Sequence, residues 1–315
     1  MKVSDFDYSL PRELIAQEPL PRRDGSRLLV LHRDGRVEHR SFPDVADFLR
    51  GETVYLNDTR VLPARLFLHR ETGGRVEALL VRRLEGLRWH ALLDSSRRLK
   101  EGERLRVDDR TWASLAGREG DRWVLEFTGE PDLGRLGRAP LPPYIHRDPD
   151  ASDAERYQTV YAARDGSIAA PTAGLHFTPE LLARLSVRRV TLHVGLGTFK
   201  PVRCEELREH KMEAEYYEIP EPPAGKVVAV GTTTVRALES WAATGKASGW
   251  TEAFIHPPYE FRAVKSLVTN FHVPRSTLLM LVCALAGRER VLAAYEEAVR
   301  ERYRFFSYGD AMLVL

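Results

Sequence analysis

Between residues 64 and 129 the chain is cut by glycine again and again: Gly73-Gly74, Gly86, Gly102, Gly117 and Gly120. Turn signals at about ten-residue spacing, separating short runs such as 75–82, 89–93, 103–107 and 122–127, suggest a small β-barrel or sandwich. On either side the texture differs, because helical and strand patterns alternate. Residues 27–32 and 36–41 flank Asp34-Gly35, a hairpin signal. Residues 43–49 have helical spacing closed by Gly51, and 53–56 form a β-branched, aromatic strand ending in Asn57-Asp58-Thr59-Arg60. Further on, Ser152 and Glu155 suggest a capping box. Thr178-Pro179-Glu180 reads as an N-cap, a first-turn proline and an acid. Strands are expected over 187–194, 226–230 and 267–269, and helices after Gly231, over 276–286 and over 289–303. The expectation is an α/β fold with an inserted small all-β barrel. The divided α/β domain takes residues 1–62 and 141–315, and the insert takes 63–140.

The chain has 315 residues, enough for two domains, with an ordinary 29% charged and 43% hydrophobic content. A net charge of +2 does not by itself indicate nucleic acid, although 40 Arg against 7 Lys leans towards phosphate-binding forks. Codon usage explains that ratio equally well. Cys204 and Cys283 form no CxxC pair, so neither a disulfide frame nor a cysteine zinc site is indicated. The start lacks the apolar core of a signal peptide. The longest apolar run, 278–286, is about half the ~20 residues of a membrane helix. A cytoplasmic protein with no membrane partner is expected.

Three separated stretches bring histidine together with hydroxyls and glycine or proline. In GSIAAPTAGLHF (166–177) the backbone is too broken for a regular element and too apolar for a solvated loop. Such a segment pairs its amides internally or offers them to a ligand. TLHVGLGTF (191–199) and TNFHVPRST (269–277) repeat the theme. Near them, the strand KVVAV runs into Gly231-Thr232-Thr233-Thr234 at a helix start, a cradle for an anion. It is neither a GK[ST] phosphate loop nor a dinucleotide GxGxxG. No metal site is expected, because His176, His193, His210 and His272 lack ligand spacing and no HExxH occurs. A serine hydrolase lacks its G-x-S-x-G, and a Rossmann methyltransferase lacks its glycine loop.

Taken together, GSIAAPTAGLHFT, TLHVGLGTFKPV, VGTTTVRALES, TNFHVPRSTLLMLV and YRFFSYGDAML resemble the S-adenosylmethionine:tRNA ribosyltransferase-isomerase family of queuosine biosynthesis. DYSLPRELIAQEPLPRRDGSRLLVL, NDTRVLPARL, TGGRVEALL and LPPYI follow the same family in order, so the likeness covers nearly the whole chain. The resemblance implies a large, barrel-like α/β domain interrupted by a β-barrel. It implies a transferase that moves the ribosyl part of S-adenosylmethionine onto 7-aminomethyl-7-deazaguanine at a tRNA wobble position. The ribosyl part is rearranged to an epoxycyclopentane, giving epoxyqueuosine with release of adenine and methionine. It implies tRNA as partner, S-adenosylmethionine as co-substrate, no cofactor and no metal; a monomer is expected. The chain departs from the family at Glu213, where a histidine is common, and at Lys265, where an aspartate is common. The helix before KVVAV shrinks to residues 221–225, so a shortened periphery is expected. A non-catalytic RNA-binding protein with a structural S-adenosylmethionine is the alternative.

The substrate sets what the site must supply. A sulfonium acidifies the carbon attached to it, so a base near neutral pKa is needed. His176 and His193 are the acid–base candidates, with Asp58 for proton transfer or amine recognition. Thr172, Ala173, Gly174, Thr198, Gly231, Thr232 and Thr233 are candidates for holding a carboxylate or phosphate. Asn270 and His272 are placed at a base edge or ribose. Arg60, Arg65, Arg236, Arg275 and Arg304 are candidates for tRNA contact. Each histidine has an equally ordinary reading, as a packed imidazole with one nitrogen bonded to backbone.

Overall fold

The computed structural model describes residues 1–95, 97–195, 197, 202 and 204–315. The chain opens on the expected hairpin, β1 (Arg27–Leu31) and β2 (Val37–Ser41), followed by α1 (Val45–Phe48), β3 (Thr53–Asn57) and the short β4 (Thr59–Val61). The glycine-punctuated stretch supplies β5 (Arg65–Arg70), β6 (Arg75–Arg83), β7 (Arg88–Ser95), β8 (Arg104–Arg106), β9 (Trp112–Glu119) and β10 (Arg122–Phe127). These strands close into an antiparallel barrel in the order β10-β7-β6-β5-β8-β9. Alternate residues such as Leu66, Leu68, Val76, Ala78, Leu80 and Ala91 point inward and are fully or nearly fully buried. Closure leaves no unpaired strand edge.

After the barrel come α2 (Leu133–Leu136), α3 (Asp153–Arg156), β11 (Arg164–Ser167), α4 (Pro179–Leu182) and β12 (Ser186–Leu192). Then follow β13 (Glu215–Glu218), β14 (Val227–Val230), α5 (Thr232–Thr244), β15 (Ser248–Thr251), β16 (Val264–Asn270), α6 (Thr277–Ala286), α7 (Arg288–Arg300) and β17 (Ala311–Val314). Nine strands form one sheet in the order β15-β13-β12-β3-β14-β16-β17-β1-β2. The mixed α/β body with a small closed β-barrel is thus as expected. The closed barrel is the glycine-rich stretch, and the larger sheet ends on β15 and β2.

Period-two alternation decides which side of the large sheet each residue serves. Leu29, Leu31, Ala229 and Val314 face the helical layer of α5, α6 and α7, where Val235, Leu279 and Tyr295 are completely buried. Leu28, Val30, Val228 and Leu313 face the other way, against Phe42, Val45, Phe177 and Leu181. Strands β12, β3, β14 and β16 run parallel, so their carboxyl ends share one rim. β17 is antiparallel to β16, which brings the segment before Ala311 to that same rim.

Two local expectations change. Ser152 does not make a capping box with Glu155: its hydroxyl donates to Asp150 at 2.6 Å, and its backbone is already helical. The turn is held instead by buried Asp153, which accepts from Arg147 at 2.6 and 2.7 Å and from Tyr308 at 2.7 Å. β11 and the four-residue strands β13 and β15 were not expected. Among the described residues no helix is long and apolar enough to cross a membrane.

Candidate functional site

A cavity of about 440 Å³ opens at the carboxyl rim of the sheet, the usual place for ligands in parallel α/β sheets. One wall is the turn from β14 into α5. Gly231 sits at φ +88°, ψ 146°, which a side chain rarely tolerates, and donates its N–H to Val268 O at 2.8 Å. No side chain caps α5, so the first-turn amides of a thirteen-residue helix face the space lined by Gly231, Thr232 and Thr233. The start of α6 lies on the same cavity but is capped: Ser276 Oγ accepts from Leu279 N at 3.2 Å. The α5 end is therefore the stronger anion site.

A second wall is the end of β16. His272 Nε2 lies 2.8 Å from Thr269 Oγ1, and its carbonyl accepts from the Tyr8 hydroxyl at 2.5 Å. Burial pushes its pKa down to about 3, so the ring is neutral at ordinary pH. Asn270 donates to Phe306 O at 2.9 Å. Tyr144 and Ser307, 2.7 Å apart through their hydroxyls, complete that side with Phe306. Of the three non-glycine residues at positive φ among the described ones, Arg275 (59°) and Phe306 (72°) both line the cavity. Left-handed backbone at such residues costs of order 1–3 kcal/mol and tends to gather at functional sites. Here it is held by Arg275 N to Phe6 O (3.0 Å) and Phe306 N to Phe271 O (3.1 Å). None of the described lining residues is acidic.

The structure thus brings Thr172, Ala173, Gly231, Thr232, Thr233, Asn270 and His272 onto one cavity. It puts the three expected catalytic groups elsewhere. His176 closes the 3₁₀ turn Thr172–His176 and points behind the wall, with Nδ1 2.8 Å from Ser26 Oγ and its ring against Phe42. Burial lowers its pKa to about 4, while Asn270 beside it favours protonation. It lines a crevice of only about 20 Å³, space for roughly one water. His193 is half-buried just past the end of β12, with Nδ1 2.9 Å from Thr59 Oγ1. Its pKa is lowered, chiefly by burial, and Asp58 opposes the shift. Asp58 is buried and accepts from the Thr191 hydroxyl at 2.7 Å. Neither lies on the cavity wall.

Gly174 has a packing role: a Cβ there would come within 2.0 Å of the Tyr161 hydroxyl. Arg236 is buried, donates to Ala253 O at 3.0 Å and pairs with buried Glu215. Exposed Arg60 donates to Ala162 O at 2.9 Å. Thr198 lies outside the described residues.

The family model for the Queuosine biosynthesis proteins matches residues 3–314. The chain belongs to that family. An S-adenosylmethionine:tRNA ribosyltransferase-isomerase of Pelotomaculum thermopropionicum is 51% identical over 350 aligned residues, covering all of both chains. One from an Anaeromyxobacter species is 52% identical, covering all of this chain and 99% of the relative. The crystal structure of the S-adenosylmethionine tRNA ribosyltransferase from Thermotoga maritima is 39% identical and superposes with a TM-score of 0.55. It covers 99% of this chain and 100% of that one.

Within this family the two departing positions have structural partners here. Glu213 accepts from Arg122 of the barrel at 2.6 Å, tying the insert to the main body. Lys265 pairs with Glu52 at 2.6 Å. Sequence reasoning missed Tyr144, Phe306 and Ser307 as cavity residues. The unusual backbone at Phe306 leaves no mark in FFSYGD that a reader could use, since φ > 0 is ordinarily signalled by glycine.

Proposed function

We propose that the protein moves the ribosyl part of S-adenosylmethionine onto 7-aminomethyl-7-deazaguanine at the wobble position of tRNA and rearranges it to the epoxycyclopentane of epoxyqueuosine. Adenine and methionine leave. The cavity carries this reading, because an uncapped helix start, the neutral imidazole of His272 and an aromatic wall meet around a volume with no acidic group among its described lining residues. The α5 amides suit the methionine carboxylate. The faces of Tyr144 and Phe306, with centroids 4.8 Å apart, suit the sulfonium. Thr269 engages Nε2 of His272. When that nitrogen carries the proton, Nδ1 keeps a lone pair that can take a proton from the carbon beside sulfur. For this its pKa of about 3 must rise towards neutrality when the substrate fills the cavity. Loss of adenine, attack by the deazaguanine amine and closure of the epoxide then expel methionine. His272 thereby takes the role first read into His176 and His193, which lie off this wall.

The test is adenine release measured by chromatography. It should require both S-adenosylmethionine and the deazaguanine-bearing RNA, and His272→Ala should slow it by about 10²–10⁴-fold, the usual worth of a general base. Adenine formed without RNA would refute the transfer. An unimpaired H272A would move the proton transfer to another group.

A further inference from the structure

The edge of the large sheet away from the hairpin carries a feature that the cavity does not use. In β12, β13 and β15 one face is buried, with Leu192, Tyr217 and Thr251 turned inwards. The opposite face presents aromatic rings in a row. Tyr216 pairs across strands with Trp250, and Tyr216 O accepts from His193 N at 3.0 Å. The His193 and Tyr216 rings are stacked at 6.3 Å and 22°, and Tyr216 meets Trp250 edge-on at 5.7 Å. The Arg82 guanidinium, from the barrel, lies 5.6 Å from the indole.

Trp250 is 62% exposed, and the other exposed large hydrophobics among the described residues, Met1 and Val160, are not aromatic. A protein partner would want a continuous apolar patch, which one exposed indole beside the half-buried Tyr216 and His193 does not provide. A short row of aromatic rings flanked by an arginine is instead how single-stranded nucleic acid is held, through stacking on the rings and attraction of the backbone. No carboxylate pairs with Arg82 among the described residues.

The inner end of the row is tied to the cavity. His193 is bonded to Thr59, Thr59 Oγ1 is 2.6 Å from Ser167 Oγ, and Ser167 Oγ accepts from Val194 N at 2.7 Å. Val194 lines the cavity, while its neighbour His193 faces the aromatic row. A strand lying along the row can therefore direct one nucleotide over this ridge into the cavity.

We infer that Trp250, Tyr216 and His193, with Arg82 at the outer end, form a stacking platform for unpaired bases of the RNA substrate next to the nucleotide that reacts. This rests on the tRNA reading above. Binding of an anticodon stem-loop RNA to wild type, Trp250→Ala, Trp250→Phe and Arg82→Gln, followed by fluorescence anisotropy across a salt series, tests it. S-adenosylmethionine affinity serves as the control. Trp250→Ala should weaken RNA binding by about tenfold, the loss of one stacked base. Trp250→Phe should recover most of that, and Arg82→Gln should lower the salt slope by about one. S-adenosylmethionine binding should not change in any of them. Equal RNA affinity for wild type and Trp250→Ala overturns the platform, as does a parallel loss of S-adenosylmethionine affinity or a Trp250→Phe no better than Trp250→Ala. If wild type itself fails to bind the stem-loop, the tRNA reading falls first and the platform with it.

Discussion

His272 and His176 make stability fall in mild acid by an amount that the structure sets. Their pKa values are lowered from 6.5 to about 3 and about 4, mainly by burial. A histidine depressed in this way is neutral in the folded chain but takes up a proton when unfolded below about pH 6.5. The unfolded state then binds more protons, so stability rises with pH through this window and is lost as pH falls towards the folded pKa. Going from about pH 7.5 to pH 5 should cost about 2 kcal/mol for each ring, about 4 kcal/mol together, since a pKa unit is worth 1.36 kcal/mol. Carboxylates add little there, because they titrate mainly below about pH 5 when unfolded. Urea unfolding of wild type and His272→Gln at the two pH values isolates one ring. Glutamine keeps a polar group near Thr269 but does not titrate, so the variant should lose about 2 kcal/mol less than wild type over the interval. An identical loss in both proteins would mean that burial does not lower the His272 pKa, and the neutral imidazole on the cavity wall would be wrong.

Gly231→Ala forces a side chain into the backbone region at φ +88°, ψ 146°, and should destabilise by about 1–3 kcal/mol. It should also raise the KM for S-adenosylmethionine, measured by adenine release, because the α5 amides shift. Arg236→Met strips the buried partner from Glu215 and should cost about 3–5 kcal/mol by chemical denaturation. Adding Glu215→Leu should recover most of this if the loss comes from the stranded carboxylate.

What the sequence disclosed and what it hid follow from the range of the interactions involved. Thr178 was legible as an N-cap, since its hydrogen bond from Leu181 closes within one turn; Ser276, expected only as the start of a helix, caps α6 in the same way. The barrel was legible because glycine marks its turns. Gly231 was legible because a strand, a glycine and hydroxyls at a helix start are local chemistry. The direction of His176 was not legible. Its position is settled by Ser26 at the start of β1 and by Phe42, both more than a hundred residues away. The same loop composition would serve an imidazole turned to ligand or to core. His272 was read as an accessory because TNFH does not reveal that β16 ends on the cavity rim. β13 and β15, at four residues each, are too short for a period to emerge. β13 is held by its ladder with β12 and β15 by its ladder with β13, not by propensity.

The absence of acidic groups among the described cavity residues bears on chemistry as well as on binding. A carboxylate beside a sulfonium would hold the cation tightly in the ground state. It would also offset the charge that makes the neighbouring C–H bond acidic, raising the barrier to proton removal. Catalysis gains only from contacts that strengthen towards the transition state. In the proposed site, neutral π faces would attract the sulfonium without cancelling its field, and the α5 amides would hold the carboxylate of the same substrate further off. A neutral imidazole has the same merit: it can take up a proton without adding a fixed negative charge to the starting state. His193 and Asp58 sit differently, since the carboxylate favours the protonated ring. On the proposed reading, the arrangement of charge separates the two faces of the 193–194 ridge, with the nucleoside chemistry on the Val194 side and RNA docking on the His193 side.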